Sequence, residues 1–363
     1  MDTVPLIARL RERIKREGPI SFRDWMQAAL YDERDGYYCR PGLARWGRAG
    51  DYRTSPERSP LFAATFAGYF ATLYKELDAP RKWSIVEAGA GAGLFARGVL
   101  ETLQRDYPQV FSATRYIIDE ASPDACAQSR RQLAGFEERI EFSHLDQMKD
   151  SSVEGIIFSN ELIDALPVRR VCMRGGNPRE LYVGTDDSDA FLWIEHELTN
   201  SRLAAHLAHI SPAEGQTAEV NLDAEDWITR AASVLRKGFV ITVDYGAEEE
   251  ELYQSPRYHA GTLRAVKAHR LTDEVLARPG EQDLTATVNW TQFRRAGERA
   301  GLHTVLFERQ DKFLLHAGLL DQLERLTGQT SDEIESASLR LGAREMILPD
   351  GMSKSFQVLV QRK

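Results

Sequence analysis

The stretch Trp83-Ser-Ile-Val-Glu87-Ala-Gly89-Ala-Gly91-Ala-Gly93-Leu-Phe-Ala-Arg97 constrains this chain more than any other. It begins as a short apolar run that ends in an acid and passes through glycine alternating with alanine. It continues with Leu94, Val99, Leu100 and Leu103 at helical spacing. That order spells a strand, a tight turn and the first turns of a helix. Glycine at alternate positions lets a ligand lie against bare backbone, with a helix N-terminus behind it. A unit of this kind opens doubly wound α/β sheets.

Two ligands compete for the turn. A dinucleotide fingerprint needs Gly-x-Gly-x-x-Gly; here the third glycine, Gly93, comes one residue early and Leu94 takes its place. Glu87-x-Gly89-x-Gly91-x-Gly93 instead resembles the first motif of the S-adenosylmethionine (SAM) methyltransferases. Alone, the motif leaves both readings open, beside a Gly/Ala turn that binds nothing.

The rest of the chain narrows the choice. Tyr116–Glu120, Ile140–Ser143, Val153–Phe158 and Phe239–Val243 read as further strands, with helical patterns between them. Their ends carry Asp119 and Glu120, His144 and Asp146, Asn160, Glu161 and Asp164, and Asp244 and Tyr245. Strand-helix alternation implies a mostly parallel sheet, whose ligands sit at the carboxyl ends of the strands. The fold class expected is α/β with a Rossmann-like, mostly parallel seven-stranded sheet.

Three other stretches stand apart from this alternation. Residues 1–80 read as an N-terminal helical region, interrupted at 31–60 by a long loop holding Tyr31, Tyr37, Tyr38, Trp46 and Tyr52. So aromatic a loop is expected to be ordered and to close over a site. Residues 81–168 and 223–363 read as the sheet core, and 169–222 as a β-rich insertion. The segment 247–290 reads as irregular and substrate-side.

Composition excludes several classes. The net charge of -9 argues against a general nucleic-acid binder. Cys39, Cys126 and Cys172 form no C-x-x-C pair and the scattered histidines form no H-E-x-x-H, so no metal site is expected. No apolar run approaches the roughly 20 residues that span a bilayer. Arg9, Arg11, Arg13, Lys15 and Arg16 lie on an amphipathic helix with Glu12 and Glu17 among them, which favours a solvated helix face over a mitochondrial presequence. A cytoplasmic location is therefore expected ahead of a mitochondrial matrix one.

At the strand ends, backbone N–H groups of Gly89, Gly91 and Gly93 suit the amino-acid end of SAM. A carboxylate at the end of the second strand offers two acceptors at diol spacing for the ribose. Glu120 is expected in that role, because Asp119 continues the strand and points to the other face. Asp146 is the candidate for the adenine amino group, with ordinary capping as its alternative.

These residues carry a resemblance to the MidA-like family of SAM-dependent methyltransferases. Its most specific pieces are Pro19-Ile-Ser-Phe followed by Tyr31 and Gly36-Tyr37-Tyr38, Gly50-Asp51-Tyr52-Arg-Thr54-Ser-Pro56, Ser159-Asn160-Glu161-Leu-Ile-Asp164-Ala-Leu-Pro167, Asp244-Tyr245-Gly246 and Asp283-Leu-Thr. Ala90 stands where the family usually has proline. The resemblance implies a class I methyltransferase fold, SAM as cofactor, and a set of cofactor-binding residues: Thr54, Glu87, Gly89, Gly91, Gly93, Glu120, Ser122, Asp146 and Asn160. The family includes a mitochondrial complex I assembly protein arginine methyltransferase. It thus implies a protein arginine as methyl acceptor, a respiratory complex I subunit being the candidate partner and a homodimer the candidate assembly.

Arginine is cationic at any accessible pH, so carboxylates must orient it and take the proton released on methylation. Glu161 and Asp164, sharing a face if a helical turn follows, are the expected pair, with Asn160 beside them. Tyr245 and His269 are the remaining catalytic candidates. The alternatives are a small-molecule acceptor, a nicotinamide oxidoreductase, and a non-catalytic SAM-binding assembly factor.

Overall fold

The computed structural model of the protein describes residues 5–43, 59–208, 210, 212–348 and 355–363. The chain folds as two units. One, here the sheet unit, comprises Arg53–Leu162, Ile228–Tyr245 and Arg294–Lys363; the other, the composite unit, comprises Met1–Tyr52, Ile163–Trp227 and Gly246–Phe293.

The sheet unit is built on β1 (Trp83–Ala88), β2 (Thr114–Asp119), β3 (Ile140–Phe142), β4 (Val153–Asn160), β5 (Leu235–Ala247, to Tyr245 in this unit), β6 (His303–Arg309) and β7 (Phe356–Arg362). They lie side by side in the order β6-β7-β5-β4-β1-β2-β3. All neighbours from β3 to β5 pair in parallel, and β7 runs antiparallel to both β5 and β6. The chain leaves β1 toward β2 on one side and returns to β4 on the other. The strand order therefore reverses between β1 and β4, the place where open α/β sheets bind ligands.

These strands read as near-continuous apolar runs because both faces are covered. Ile85, Val86, Ile117, Ile118, Ile156, Ile157, Phe158, Val240 and Ile241 are all buried. On one face, helix α1 (Pro60–Glu76) and helix α2 (Leu94–Asp106) contribute Phe66, Phe70 and Phe95 to an aromatic cluster. Phe95 stacks on Phe158 with ring centroids 4.4 Å apart, and Phe66 meets Phe158 edge-on at 5.1 Å. Burial of each such ring contributes about 2–3 kcal/mol. Ser59 caps α1 and Pro60 sits at its first position, which fixes where the helix begins.

In the composite unit, helices Leu6–Glu17 and Phe22–Tyr31 pack through Leu10, Ile14, Trp25 and Leu30 against a core that also holds Val183, Leu263 and Leu284. The short strand Ile20–Ser21 pairs antiparallel with Asn177–Thr185, Ile20 opposite Val183. Arg169–Arg174, Thr217–Val220 and Phe191–His196 complete that sheet. Inside it the Glu180 carboxylate is wholly buried and accepts from Arg169 at 2.6 Å. The basic first helix belongs to the fold, with Arg9 bonded to both Asp32 and Asp35.

Three sequence-based expectations change here. Pro60–Glu76 falls in the sheet unit rather than with the N-terminal helices, because its phenylalanines fill that unit's core. Residues 163–168 fall with the insertion instead of with the sheet core. The segment 247–290 is not irregular. It holds a helix, Glu249–Gln254, and an antiparallel sheet ordered Arg270–Thr272, Arg264–Lys267, Asp283–Thr285. Strands of three or four residues leave too little alternation to register as a pattern.

Candidate functional site

The turn after β1 is shaped by backbone that side chains rarely adopt. Gly89, Gly91 and Gly93 have φ of 70°, 54° and 80°. A Cβ at Gly93 would lie 2.5 Å from Ser129 Oγ, so this helix start admits only glycine without displacement. The Gly89 N–H donates to the Asp119 carbonyl at 2.8 Å, which ties the turn to the end of β2.

The two acids at the end of β2 diverge. Glu120 turns to the glycine loop: Gly91 N–H donates to its Oε2 at 2.8 Å and Ser122 N–H to its Oε1 at 2.7 Å. Each carboxylate oxygen keeps a further lone pair for a ligand hydroxyl. Burial pushes this carboxyl above its ordinary range, opposed by those two N–H groups, which favour the charged form. Asp119 turns elsewhere, accepting from Leu145 N–H at 3.2 Å and lying 3.0 Å from His144 Nδ1. Ser122 is buried, and its hydroxyl caps helix Pro123–Gln132 by accepting from Ala125 N–H. Asp146 is exposed on the short turn Leu145–Gln147. Thr54 lies outside the described residues.

Glu87, the last acid of β1, is 4% exposed and accepts from the Tyr116 hydroxyl at 2.6 Å. Burial pushes its carboxyl up to about 8; the tyrosine bond opposes this and the nearby Glu120 charge adds to it.

At the end of β4 the continuous helical turn that would set Glu161 and Asp164 on one face does not form. Glu161 takes a left-handed φ of 53°, and a short 3-10 turn runs from Ile163 to Ala165. A glutamate rarely adopts this conformation, which costs of order 1 kcal/mol. Its N–H donates to the Val243 carbonyl at 2.9 Å, so the neighbouring strand β5 holds the bend. The Asn160 amide donates to Glu161 Oε1 at 3.2 Å. Asn160 Oδ1 is buried and has no hydrogen-bond partner among the described residues. The result is a carboxylate and a buried acceptor side by side at the strand end.

Asp164 belongs to the composite unit. Its Oδ2 accepts from Thr285 Oγ1 at 2.7 Å and its carbonyl accepts from Ala286 N–H at 3.0 Å. Within the same unit the Tyr38 hydroxyl donates to Asp283 Oδ1 at 2.8 Å, Tyr31 stacks on Tyr38, and the Tyr31 hydroxyl donates to the Ala165 carbonyl at 3.2 Å. Sequence reasoning gave Tyr31 and Tyr38 only a place in a loop expected to close over a site, and gave Asp283 and Thr285 no role. The signal was present: these residues fall in the stretches that carry the family resemblance.

The two remaining catalytic candidates lie at a strand pairing and at a hairpin turn. The Tyr245 ring packs edge-on against Phe356 of the antiparallel strand β7, centroids 5.5 Å apart. His269 is exposed and, with Ala268, forms the two-residue turn joining Arg264–Lys267 to Arg270–Thr272; both have positive φ, as such a hairpin requires. Among the described residues no group of three His, Cys, Asp or Glu is arranged to hold a metal ion, and no helix is long and apolar enough to cross a membrane.

The N–H groups of Gly89, Gly91 and Gly93 are bonded to Asp119, Glu120 and Ala90, contrary to the expectation that they hold the amino-acid end. The bare backbone of the glycine turn beside a helix start, with the pre-placed Glu120 carboxylate, still fits a ligand with an amino-acid end and a ribose diol. Comparison with known proteins agrees. Residues 65–308 match the family model described as S-adenosyl-L-methionine-dependent methyltransferase. A crystal structure from Burkholderia thailandensis with S-adenosyl-homocysteine bound superposes with a TM-score of 0.88 at 30% identity, covering 99% of this chain and 92% of that one. The chain is 26% identical to the Drosophila melanogaster mitochondrial protein arginine methyltransferase NDUFAF7 homolog, over 98% of its length and 84% of the relative. The human mitochondrial protein arginine methyltransferase NDUFAF7 is 25% identical over 97% of this chain and 82% of the relative.

Proposed function

The chain belongs to the MidA-like family of SAM-dependent methyltransferases, and we propose that it methylates a protein arginine side chain. SAM, when bound, supplies an activated methyl group for in-line displacement. What remains for the protein is to align the acceptor, exclude water and receive a proton.

The observation that carries the reading is the Asn160–Glu161 pair. A guanidinium has five N–H donors and no acceptor. A carboxylate beside a buried, unpartnered amide oxygen is a matched surface for such a group, and a poor one for acceptors with lone pairs of their own. In this reading Glu161 orients the guanidinium and takes the proton released on methylation, while Asn160 fixes the Glu161 carboxylate and accepts a second N–H. Asp164, the other carboxylate expected from the sequence, belongs to the composite unit, where it is bonded to Thr285, and is tested separately by Asp164→Asn. Similarity to proteins named as arginine methyltransferases supports a protein acceptor, and a respiratory complex I subunit remains the candidate.

The test offers the purified protein isotope-labelled SAM and a proteome extract, then maps labelled residues by mass spectrometry. Label on arginine that disappears in Glu161→Gln, with S-adenosylhomocysteine binding retained, is the expected result. Label confined to small molecules would establish the alternative acceptor class. Absence of any methyl transfer, with normal cofactor binding, would make the protein a non-catalytic SAM binder.

A further inference from the structure

Glu87 is among the cofactor-binding residues that the resemblance implies, whereas Tyr116, whose hydroxyl donates to it near the end of β1, has been given no role. Tyr116 stands opposite Ile85 in the β1–β2 register, within a core of apolar and aromatic side chains. Phenylalanine would fill that volume equally well. The hydroxyl is explained only by its bond to Glu87, since a buried phenol needs a polar partner. Glu87 in turn is a buried carboxyl two residues before Gly89, where the left-handed turn begins.

We propose that Tyr116 is a positioning residue for the cofactor, acting through Glu87: its hydroxyl anchors one carboxyl oxygen, and the carboxyl releases its proton to solvent when a ligand ammonium arrives. This rests on the cradle binding SAM, not on the identity of the acceptor. The balance is simple. A neutral carboxyl and a cationic amine become an ion pair, and one proton leaves to water.

The surroundings set this up. Among the described residues, the titratable groups that act on Glu87 are Tyr116, through the hydrogen bond, and Glu120, which opposes a second negative charge nearby. With burial added, the carboxyl is held up to about 8, so in the free protein at neutral pH it is mostly protonated. Tyr116 is itself pushed well above the ordinary phenol range and stays a donor throughout. A ligand cation reverses the electrostatics by neutralising the repulsion between the two acids.

The experiment is titration calorimetry of S-adenosylhomocysteine, which keeps the amino group, in two buffers of different ionisation heat. Wild type is expected to release close to one proton per ligand near neutrality, and its affinity to rise with pH by up to about tenfold per unit below pH 8. Glu87→Gln keeps an acceptor for Tyr116 and is expected to release none and bind with a flat pH profile. Tyr116→Phe removes a bond that favours the charged carboxyl. It is expected to bind about tenfold more weakly at neutral pH, with the rise displaced to higher pH. Wild-type binding without proton release overturns the proposal, as does a Tyr116→Phe profile that matches wild type. If Tyr116→Phe does not fold, a Glu87→Gln profile as steep as wild type overturns it alone. A wild type that binds no ligand overturns the cofactor reading, and this proposal with it.

Discussion

In the sheet unit, Glu120 and Asp119 are gripped by backbone N–H groups of Gly91, Ser122 and Leu145, whereas in the composite unit Asp164 accepts from the Thr285 hydroxyl and Asp283 from the Tyr38 hydroxyl in addition to the N–H of its neighbour Leu284. The first grip follows from local geometry: a strand ends, glycines turn, a helix starts, and its free N–H groups point at whatever carboxylate comes next. The second joins side chains 121 and 245 positions apart in the chain. A backbone grip is robust to most side-chain changes and fragile to a change of φ. A hydroxyl grip is the reverse. Each unit should therefore fail in its own way.

Gly93→Val attacks the backbone grip and should have the largest effect. The added side chain meets Ser129 while the residue is forced to keep a φ of 80°. A loss of about 3 kcal/mol of stability and of measurable S-adenosylhomocysteine binding is expected, read by thermal unfolding and calorimetry. Binding that survives unchanged would mean that the turn does not hold the ligand. Next comes Glu120→Ala, which leaves the fold standing but removes the pre-placed acceptor. Affinity should drop about thirty- to a hundredfold, the cost of a charge-assisted hydrogen bond of about 2–3 kcal/mol. Thr285→Val probes the other unit. It should cost about 1–2 kcal/mol of stability by removing the hydroxyl that donates to Asp164, and leave the S-adenosylhomocysteine dissociation constant unaltered. A shifted constant would erase the separation drawn between the two grips.

A smaller effect concerns pH. Glu87 has a folded-state value raised from 4.5 to about 8, so the folded protein holds a proton that the unfolded chain has lost across that range. Stability from this group is complete below the unfolded value and declines as pH rises toward 8. Glu87→Gln should flatten that decline in denaturant titrations of the ligand-free protein; an equally steep decline would assign the pH dependence to other groups. Least of all, His269→Gly should leave cofactor binding and methyl transfer unchanged and stabilise by a few tenths of a kcal/mol, since glycine adopts its φ of 61° without strain.

How much of this was legible beforehand differs between the same two units. In the sheet unit the strands announced themselves as apolar runs because both their faces are buried, and Glu120 was separable from Asp119 because successive side chains in a strand alternate. Glu161 was identified as a residue but not as a conformation. A left-handed glutamate is imposed by the bond from its N–H to Val243, some eighty residues away and invisible in its own neighbourhood. In the composite unit, Arg264–Lys267 and Asp283–Thr285 passed as irregular because strands so short are defined by their partners, not by their own pattern. His269 looked like a catalytic candidate on chemistry alone, with nothing local to say that it turns a hairpin.

The sequence by itself determined the α/β class and the glycine turn, since these depend on period-two and period-3.6 patterns and on residues within one strand-turn-helix, and it reached the ligand only through the other strand ends and the family resemblance spread along the chain. Only the tertiary structure decided which acids are gripped by backbone and which by hydroxyls, which phenylalanines fill which core, and that a tyrosine hydroxyl answers a buried glutamate. Those facts are pairings between positions distant in the chain, and no local pattern encodes which distant group arrives.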